Sequence, residues 1–462
     1  MKLKISEVEV MNGDCGKNED MNEDMSNLPY ETVKKAKKMG ANDVVCSLYK
    51  LERYQIRFSN NLPTTSNYNT NYEIWVFLAK DGKTTSFKLS ELSKLEDMLE
   101  RGMKELEVIS TNKDYAGIAK GPFKYKERKY DEKIAELGEK SVELVESAIE
   151  GALAEGAERT AGVLYTNKIE KWHATSGDVN AYSKGAYVEI SLRAFIGKDA
   201  SGHATASSTT LAKFKPDLVG KSAGEIAKIA KEPRNAECGK MDVLFYPLAF
   251  AGLLNEVASA ASAFNVDAGF SFLKDRLGKK VASEKFTLYD DGILEEGIFS
   301  SPFDDEGYPT RRNAIIEKGV VKSYLHNTST AKKWNTERTG NAGLMRPHPW
   351  NLVMDKGDFS RDEMTKGMDK GLIVTNIWYT RYQDYESGDF STIPRDGIFF
   401  VKNGKIEYAV KGIRISDNLP RMLSSIEKIG KKEEQIHWWE VDIPTFCSDV
   451  LVKDVRITKS TE

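Results

Sequence analysis

The chain has 462 residues, of which 40% are hydrophobic, 10% aromatic and 30% charged, with 67 basic against 70 acidic side chains. This is long enough for roughly two to four domains, and it is the composition of a folded globular protein rather than a disordered one. The net charge of −3 excludes a strongly basic nucleic-acid binder and a polyacidic chain, and four scattered cysteines without a CxxC pair argue against a zinc ribbon or disulfide scaffold.

Residues 1–28 read as a flexible N-terminal arm. They are polar and acidic from 11 to 27 and lack the apolar core of a targeting segment, so a cytoplasmic location is expected. Residues 29–40 place Val33, Ala36 and Met39 at helical spacing, with Gly40 as the stop. Strands are predicted at 44–49 and 54–59, and a loop in the Asn/Pro/Thr/Ser-rich stretch 60–71. Two more strands follow at 72–78 and 84–89, turned by Asp81-Gly82. A helix over 90–107 completes a first α/β domain, 29–117.

A second, α+β domain spans 118–239. Its basic and aromatic start (Lys120, Phe123, Lys124, Tyr125, Lys126, Arg128, Lys129, Tyr130) reads as a solvated linker. A single helix is predicted over 133–154. Val188, Ile190, Leu192, Ala194 and Ile196 alternate with polar residues as a half-buried strand. The strand pattern continues over 203–210, and a helix is predicted at 222–231. Residues 240–462 form a β-rich C-terminal domain with one buried helix at 248–264. Asn255 and Glu256 interrupt the most apolar window, which argues against a membrane span. Short strands follow, with Lys318-Gly319 and Asn403-Gly404 as hairpin turns. A last helix is predicted over 419–429. Strands and helices do not alternate regularly, so the fold class is α+β: small N-terminal α/β units, then the β-rich domain.

Familiar motifs fail. Gly220-Lys221-Ser222-Ala223-Gly224 matches a nucleophile elbow, but Pro216 to Val219 make poor strand context, and Ser222 with Glu225 reads as a helix capping box. No G-x-G-x-x-G occurs. His173, His203, His326, His348 and His437 contain no pair at helical metal-ligand spacing. Cys447 reads as a small core residue on a strand.

The densest constellation runs from Ser301 to Arg312. Asp304, Asp305 and Glu306 precede the turn Gly307-Tyr308-Pro309, and Arg311 and Arg312 follow. Arginines folded back onto the acids would make a salt-bridged structural loop. A substrate or partner contact, or a divalent cation site, is the alternative. With this loop, the hairpin 314–325 and Thr339-Gly-Asn-Ala342, the chain resembles the TldD/PmbA family, named for modulators of DNA gyrase. Matching segments include Phe270-Ser-Phe-Leu273, Leu277-Gly278, Val281-Ala-Ser283, Asn351-Leu-Val353, Gly357-Asp358, Ser387-Gly388-Asp389-Phe390-Ser391 and Asp417-Asn-Leu419 before Met422. The resemblance covers residues 29–460.

The resemblance implies a peptidase-related protein. One kind of member, TldD, carries an H-E-x-x-x-H helix whose histidines hold zinc, with a later cysteine as ligand and the glutamate as general base. The other kind, PmbA or TldE, lacks those ligands and pairs with the first to enclose a chamber for unfolded peptides. Here Asn255 and Ala260 stand where the histidines belong, only Glu256 remains, and residues 431–437 lack a cysteine. Catalytic zinc needs about three protein ligands. The resemblance therefore implies the PmbA/TldE kind: no cofactor in this chain and zinc in a TldD-like partner. The assembly would be a heterodimer with that partner, or a homodimer. Glu256 is expected to be a hydrogen-bonded structural carboxylate.

Peptide is expected to add a strand to an exposed sheet edge of the third domain, with residues 387–391 as the preferred lining loop. Two other functions stay open. One is a stand-alone metallopeptidase with unusual ligands such as His326, His348 and the acids at 304–306. The other is a regulatory protein linked to gyrase modulation, although near-neutral charge argues against direct DNA binding.

Overall fold

The computed structural model describes residues 25–460, so most of the expected arm lies outside the described residues. A short turn at Met25–Asn27 leads into α1 (Leu28–Lys38). Strands β1 (Asp43–Ser59), β2 (Leu62–Lys80) and β3 (Lys83–Leu89) form an antiparallel meander, followed by α2 (Leu95–Val108). The two strands expected at 44–49 and 54–59 are one, and most of the expected loop at 60–71 is strand. The cause is local. Asn60 and Asn61 both adopt left-handed backbone, with φ of 51° and 68°, and make a two-residue turn that suits strand twist. The polar run beyond pairs with β1 alone, because β3 reaches only residues 74–80 of β2. On that open edge Pro63 and polar side chains cost little.

In the basic stretch before the next helix the lysines are exposed, as a solvated linker requires, but its aromatic residues and Arg128 are partly covered. The Arg128 guanidinium donates to the carbonyls of Gly297 (3.2 Å) and Ile298 (2.9 Å), and the Tyr125 hydroxyl donates to that of Gly307 (2.8 Å). The helix expected at 133–154 is broken at Gly138, where φ is +48°, into α3 (Glu132–Ala135) and α4 (Ser141–Ala154). Then come β4 (Arg159–Thr175), β5 (Val179–Ile196), β6 (Ala200–Ser208) and α5 (Pro216–Ile229). Helix α5 starts at Pro216, a residue preorganised for the first helical turn. Ser222 is therefore interior, and the expected capping box is not formed. The glycines of that motif serve packing: a Cβ at Gly220 would sit 1.8 Å from the Ala148 carbonyl of α4.

All six strands join one sheet in the order β3-β2-β1-β4-β5-β6, which runs across the boundary placed at residue 117. Helices α1 and α2 cover the end containing Val44, Cys46 and Leu48, while α4 and α5 cover the end containing Ile56 and Phe58.

The C-terminal half contains β7 (Arg234–Asn235), β8 (Gly239–Phe245), α6 (Pro247–Ala260), α7 (Ala263–Asp267), β9 (Leu288–Asp291), β10 (Arg312–Glu317), β11 (Val320–Val321), α8 (Thr328–Lys333) and β12 (Leu352–Met354). It continues with α9 (Arg361–Lys366), β13 (Lys370–Asp384), β14 (Asp389–Lys402), β15 (Lys405–Lys411), β16 (Ile413–Asn418), α10 (Leu419–Ser424), β17 (Ile426–Ile429), β18 (Glu434–Trp438), β19 (Val441–Cys447) and β20 (Val450–Lys459). One sheet has the order β11-β10-β9-β12-β19-β18. The other runs β13-β8-β20-β16-β14, and β13 also pairs with β14, which closes a barrel extended by β15 and β7. Closure removes the free edges of β13 and β14.

The helix expected at 419–429 ends at Ser424, and Ile426 and Ile429 pair with β20 instead. The hairpin turns at Lys318-Gly319 and Asn403-Gly404 have the left-handed backbone that their sequences require. The architecture is α+β with a β-rich C-terminal half, as its sequence pattern implies. No described helix is long and apolar enough to cross a membrane.

Candidate functional site

Helix α6 is apolar nearly all round, because it lies between barrel strand β13 and strand β19 of the other sheet. Its polar exceptions are instructive. The Asn255 amide nitrogen donates to Ala251 O (3.2 Å), Ile443 O (3.1 Å) and Thr445 Oγ1 (2.9 Å). Its amide oxygen accepts the Ile443 N–H at 2.9 Å. The side chain is thus a clamp between α6 and β19, with donor and acceptor both engaged. Ala260 is buried and brings no donor atom. Cys447 is buried on β19, its thiol directed at the Pro247 carbonyl, and burial drives its pKa well up. Among the described residues, no cluster of three or more His, Cys, Asp or Glu side chains could hold a metal. The side chains at 255 and 260 do not fit zinc. His326, His348 and the acids at 304–306 do not assemble into a ligand set either.

Glu256 is not the hydrogen-bonded structural group expected. Among the described residues no hydrogen bond or ion pair reaches its half-buried carboxylate. Burial raises its pKa to about 7, with Glu440 adding to the rise and Arg381 opposing it. The nearby Tyr382 hydroxyl is buried without a hydrogen-bond partner. Burial, then the Glu256 charge, raise that hydroxyl's pKa.

The acidic loop sits elsewhere and is engaged internally. Asp304 is 1% exposed. It accepts the N–H groups of Glu306 (2.9 Å), Tyr308 (3.0 Å) and Ala342 (3.0 Å), which hold the turn. Burial, with Glu306 beside it, raises its pKa. Asp305 is paired with buried Lys171 at 2.8 Å; burial pushes its pKa up, but the lysine outweighs this and holds it low. Glu306 accepts from Ala119 N (3.1 Å) and from the backbone and hydroxyl of Thr328.

The arginines do not fold back onto these acids. Arg311 reaches Glu337, Asn313 and the Arg338 carbonyl, and Arg312 lies over the Tyr289 ring near Asp291. The strand β10 that begins at Arg312 carries both away from the loop. Asp305 and Glu306 line a cavity of about 330 Å³, where Lys333 bridges Asp114 and Asp267 at 2.8 and 3.1 Å.

Residues 387–391 form the β13–β14 turn and the start of β14. Gly388 has φ of +79°, and a Cβ there would lie 2.7 Å from Pro420. Asp389 accepts from Asn418 (2.9 Å), Ser391 accepts from Arg414 (3.0 Å), and Phe390 is in the core. Strand β14 is paired with β16 here, so no sheet edge is open to a peptide. Only Ser387 is exposed.

Sequence reasoning missed the aromatic face beside Glu256. Trp378 and Tyr379 of β13 meet Trp438 and Trp439 at the β18–β19 corner. Ring centroids lie 4.9 Å apart for Trp378–Trp439, 5.3 Å for Trp438–Trp439 and 6.2 Å for Tyr379–Trp439. Arg395 stacks on Trp378 and Tyr379 at 5.0 and 5.8 Å. The signal was the two adjacent aromatic pairs, 378–379 and 438–439, on opposite elements.

Residues 125–231 match the PmbA/TldA metallopeptidase central domain, and residues 238–459 the C-terminal domain of the same family. The chain is 31% identical over 246 residues to the metalloprotease PmbA of Escherichia coli O157:H7, covering 52% of this chain and 51% of that protein. It is 32% identical over 237 residues to a metalloprotease of Archaeoglobus fulgidus, covering 47% and 52%. The alignments thus span about half the length of these relatives. A crystal structure of a candidate modulator of a DNA gyrase from Thermotoga maritima superposes with a TM-score of 0.80 at 26% identity, covering 93% of this chain and 99% of that one. TldE of Thermococcus kodakarensis superposes at 0.81 with 18% identity, covering 93% and 99%, a likeness of fold.

Proposed function

The chain belongs to the PmbA/TldD family, and on that premise we propose that it is a non-catalytic, TldE-like subunit of a two-chain peptidase. It forms part of the wall of a chamber in which a zinc-bearing paralogue cuts unfolded peptides. One observation carries this reading: at the family's metal position the Asn255 amide is spent on Ile443 and Thr445, and Ala260 offers a methyl group. A hydrolytic zinc site needs three ligands and an open position for water. Glu256 without a metal-bound water has no acidified proton to remove. What this chain's residues do is hold shape. Asn255 pins α6 to β19, and the acidic loop ties the N-terminal sheet to the C-terminal half through Lys171–Asp305 and Ala119–Glu306.

The test is reconstitution. The chain is purified alone and with a paralogue bearing H-E-x-x-x-H, then assayed for bound zinc and for hydrolysis of an unfolded peptide. Alone it should be metal-poor and inert. Zinc and activity should appear with the partner, and replacing the partner's motif glutamate by alanine should abolish hydrolysis. Hydrolysis by the single chain would overturn the reading.

A further inference from the structure

We propose that the aromatic face beside Glu256 is a docking site for extended peptide segments that carry an aromatic side chain next to a carboxylate. This rests on the reading that the chain handles unfolded peptides, and it names which ones. Trp439 is 56% exposed and Tyr379 41%. Contiguous exposed aromatics are disfavoured on a surface unless they bind something.

Tyr379 is also strained. Its φ is +56°, at a bulge where the β13–β14 register shifts between Trp378 and Arg381. A bulky residue pays for that conformation, and such strain gathers at ligand sites. The Glu440 carboxylate holds the bulge by accepting the Tyr379 N–H at 3.2 and 3.3 Å. The bulge sets the tyrosine ring against Trp378 and Trp439, at 5.9 and 6.2 Å, in a wall of mutually inclined rings.

Charge selects the occupant. Arg193, which also stacks on Trp378, is paired with Asp396. Arg395 is exposed, forms no ion pair among the described residues and has only its rings, whereas Arg381 donates to the Thr380 carbonyl and faces the Glu256 and Glu440 carboxylates. An unpaired guanidinium laid on an aromatic plane is built to take a carboxylate while a ring stacks beside it. Arg395 there disfavours a cationic side chain at the rings. A nucleic acid is disfavoured by the chain's net charge of −3.

Binding is measured by fluorescence anisotropy of the full chain with a labelled unstructured peptide containing Phe and Glu. Controls replace Glu by Lys, or Phe by Ala, and a labelled single-stranded oligonucleotide is run beside them. The Phe/Glu peptide should bind, and each control peptide should bind about tenfold more weakly. Trp439→Ala and Arg395→Glu should each cost about tenfold, with the second shifting preference toward the Lys peptide. Arg395→Glu changes an exposed side chain and should leave the melting temperature in place, while Trp439→Ala, which loses ring contacts, should lower it by no more than a few degrees.

Equal binding of all peptides, unchanged affinity in Trp439→Ala, or preference for the oligonucleotide would overturn the proposal. So would a dimer of this chain that Trp439→Ala dissociates. Reconstituted hydrolysis is scored separately. If it persists while Trp439→Ala leaves peptide preference untouched, the docking site fails and the subunit reading stands. If the wild-type pair never hydrolyses peptide, the subunit reading fails and anisotropy alone judges the docking site.

Discussion

The loop at 304–306 and the helix position at 256 both take carboxylates out of water, and they do it in opposite ways. In the loop each acid meets donors placed for it: three backbone N–H groups on Asp304, the Lys171 ammonium on Asp305, and Thr328 with Ala119 on Glu306. On α6, Glu256 has neighbouring charges but no donor, and burial lifts its pKa to about 7. A buried group with its partners in place is part of the scaffold. One left without a partner is a cost that the rest of the fold carries, and such costs gather where function is or was located. Sequence density pointed to the loop, and physical chemistry points to the helix.

The comparison is broken most sharply at Asp304. Asp304→Ala strands three backbone N–H groups at once, two of them buried, so a loss of about 4 kcal/mol in folding stability is expected, read from denaturant unfolding. A change under about 1 kcal/mol would mean that the turn does not depend on this carboxylate and that the loop is not scaffold.

Asn255 tests the intermediate case, a polar side chain on α6 that is fully engaged. Asn255→Ala removes the links to Ile443 and Thr445 and is expected to cost about 2 kcal/mol, with a matching fall in melting temperature. Asn255→His should destabilise as well and should not bind zinc, because position 260 still lacks a donor. Zinc bound by that single substitution would show that fewer than three protein ligands suffice at this helix.

Much of this was legible in the sequence, and the failures share a cause. The alternation at 188–196 and the Asn403-Gly404 turn are local signals, and both formed as read; the buried helix expected at 248–264 is interrupted by extended backbone at Ser262, into α6 and α7. The strand at 62–71 was hidden because its residues are polar, and only the Asn60-Asn61 turn, which fixes pairing with β1, reveals it. Residues 426–429 looked helical until β20, distant in sequence, recruited them. At α6, the residue types at 255 and 260 could be read directly, but not the bonds that Asn255 makes to Ile443 and Thr445. The burial of 304–306 could not, since the donors come from residues 119, 171, 328 and 342. The aromatic face was signalled only by its two adjacent pairs, because 378–379 and 395 come from the barrel and 438–439 from the other sheet.

Glu256 gives the smallest expected effect, and because burial raises the pKa of Asp304 and Glu306 as well, the two sites are separated by how an amide substitution is tolerated. The folded pKa of Glu256, about 7, lies above the ordinary value of 4.5. Between pH 4.5 and 7 the unfolded chain gives up this proton while the native state retains it. Rising pH therefore removes stability across that window, and the loss is complete above it. Fully buried, such a shift would be worth about 3 kcal/mol; with the carboxylate part-exposed and Arg381 nearby, about 1–2 kcal/mol is expected. Glu256→Gln keeps the shape and drops the charge. It should stabilise the protein at pH 8 by that amount and leave it unchanged at pH 4, as measured by thermal unfolding at the two pH values. Asp304→Asn, by contrast, should destabilise at both, since an amide nitrogen cannot accept the N–H that a carboxylate oxygen takes from Ala342. If Glu256→Gln instead lowers stability at pH 8, the carboxylate has a partner after all, and the difference between loop and helix disappears.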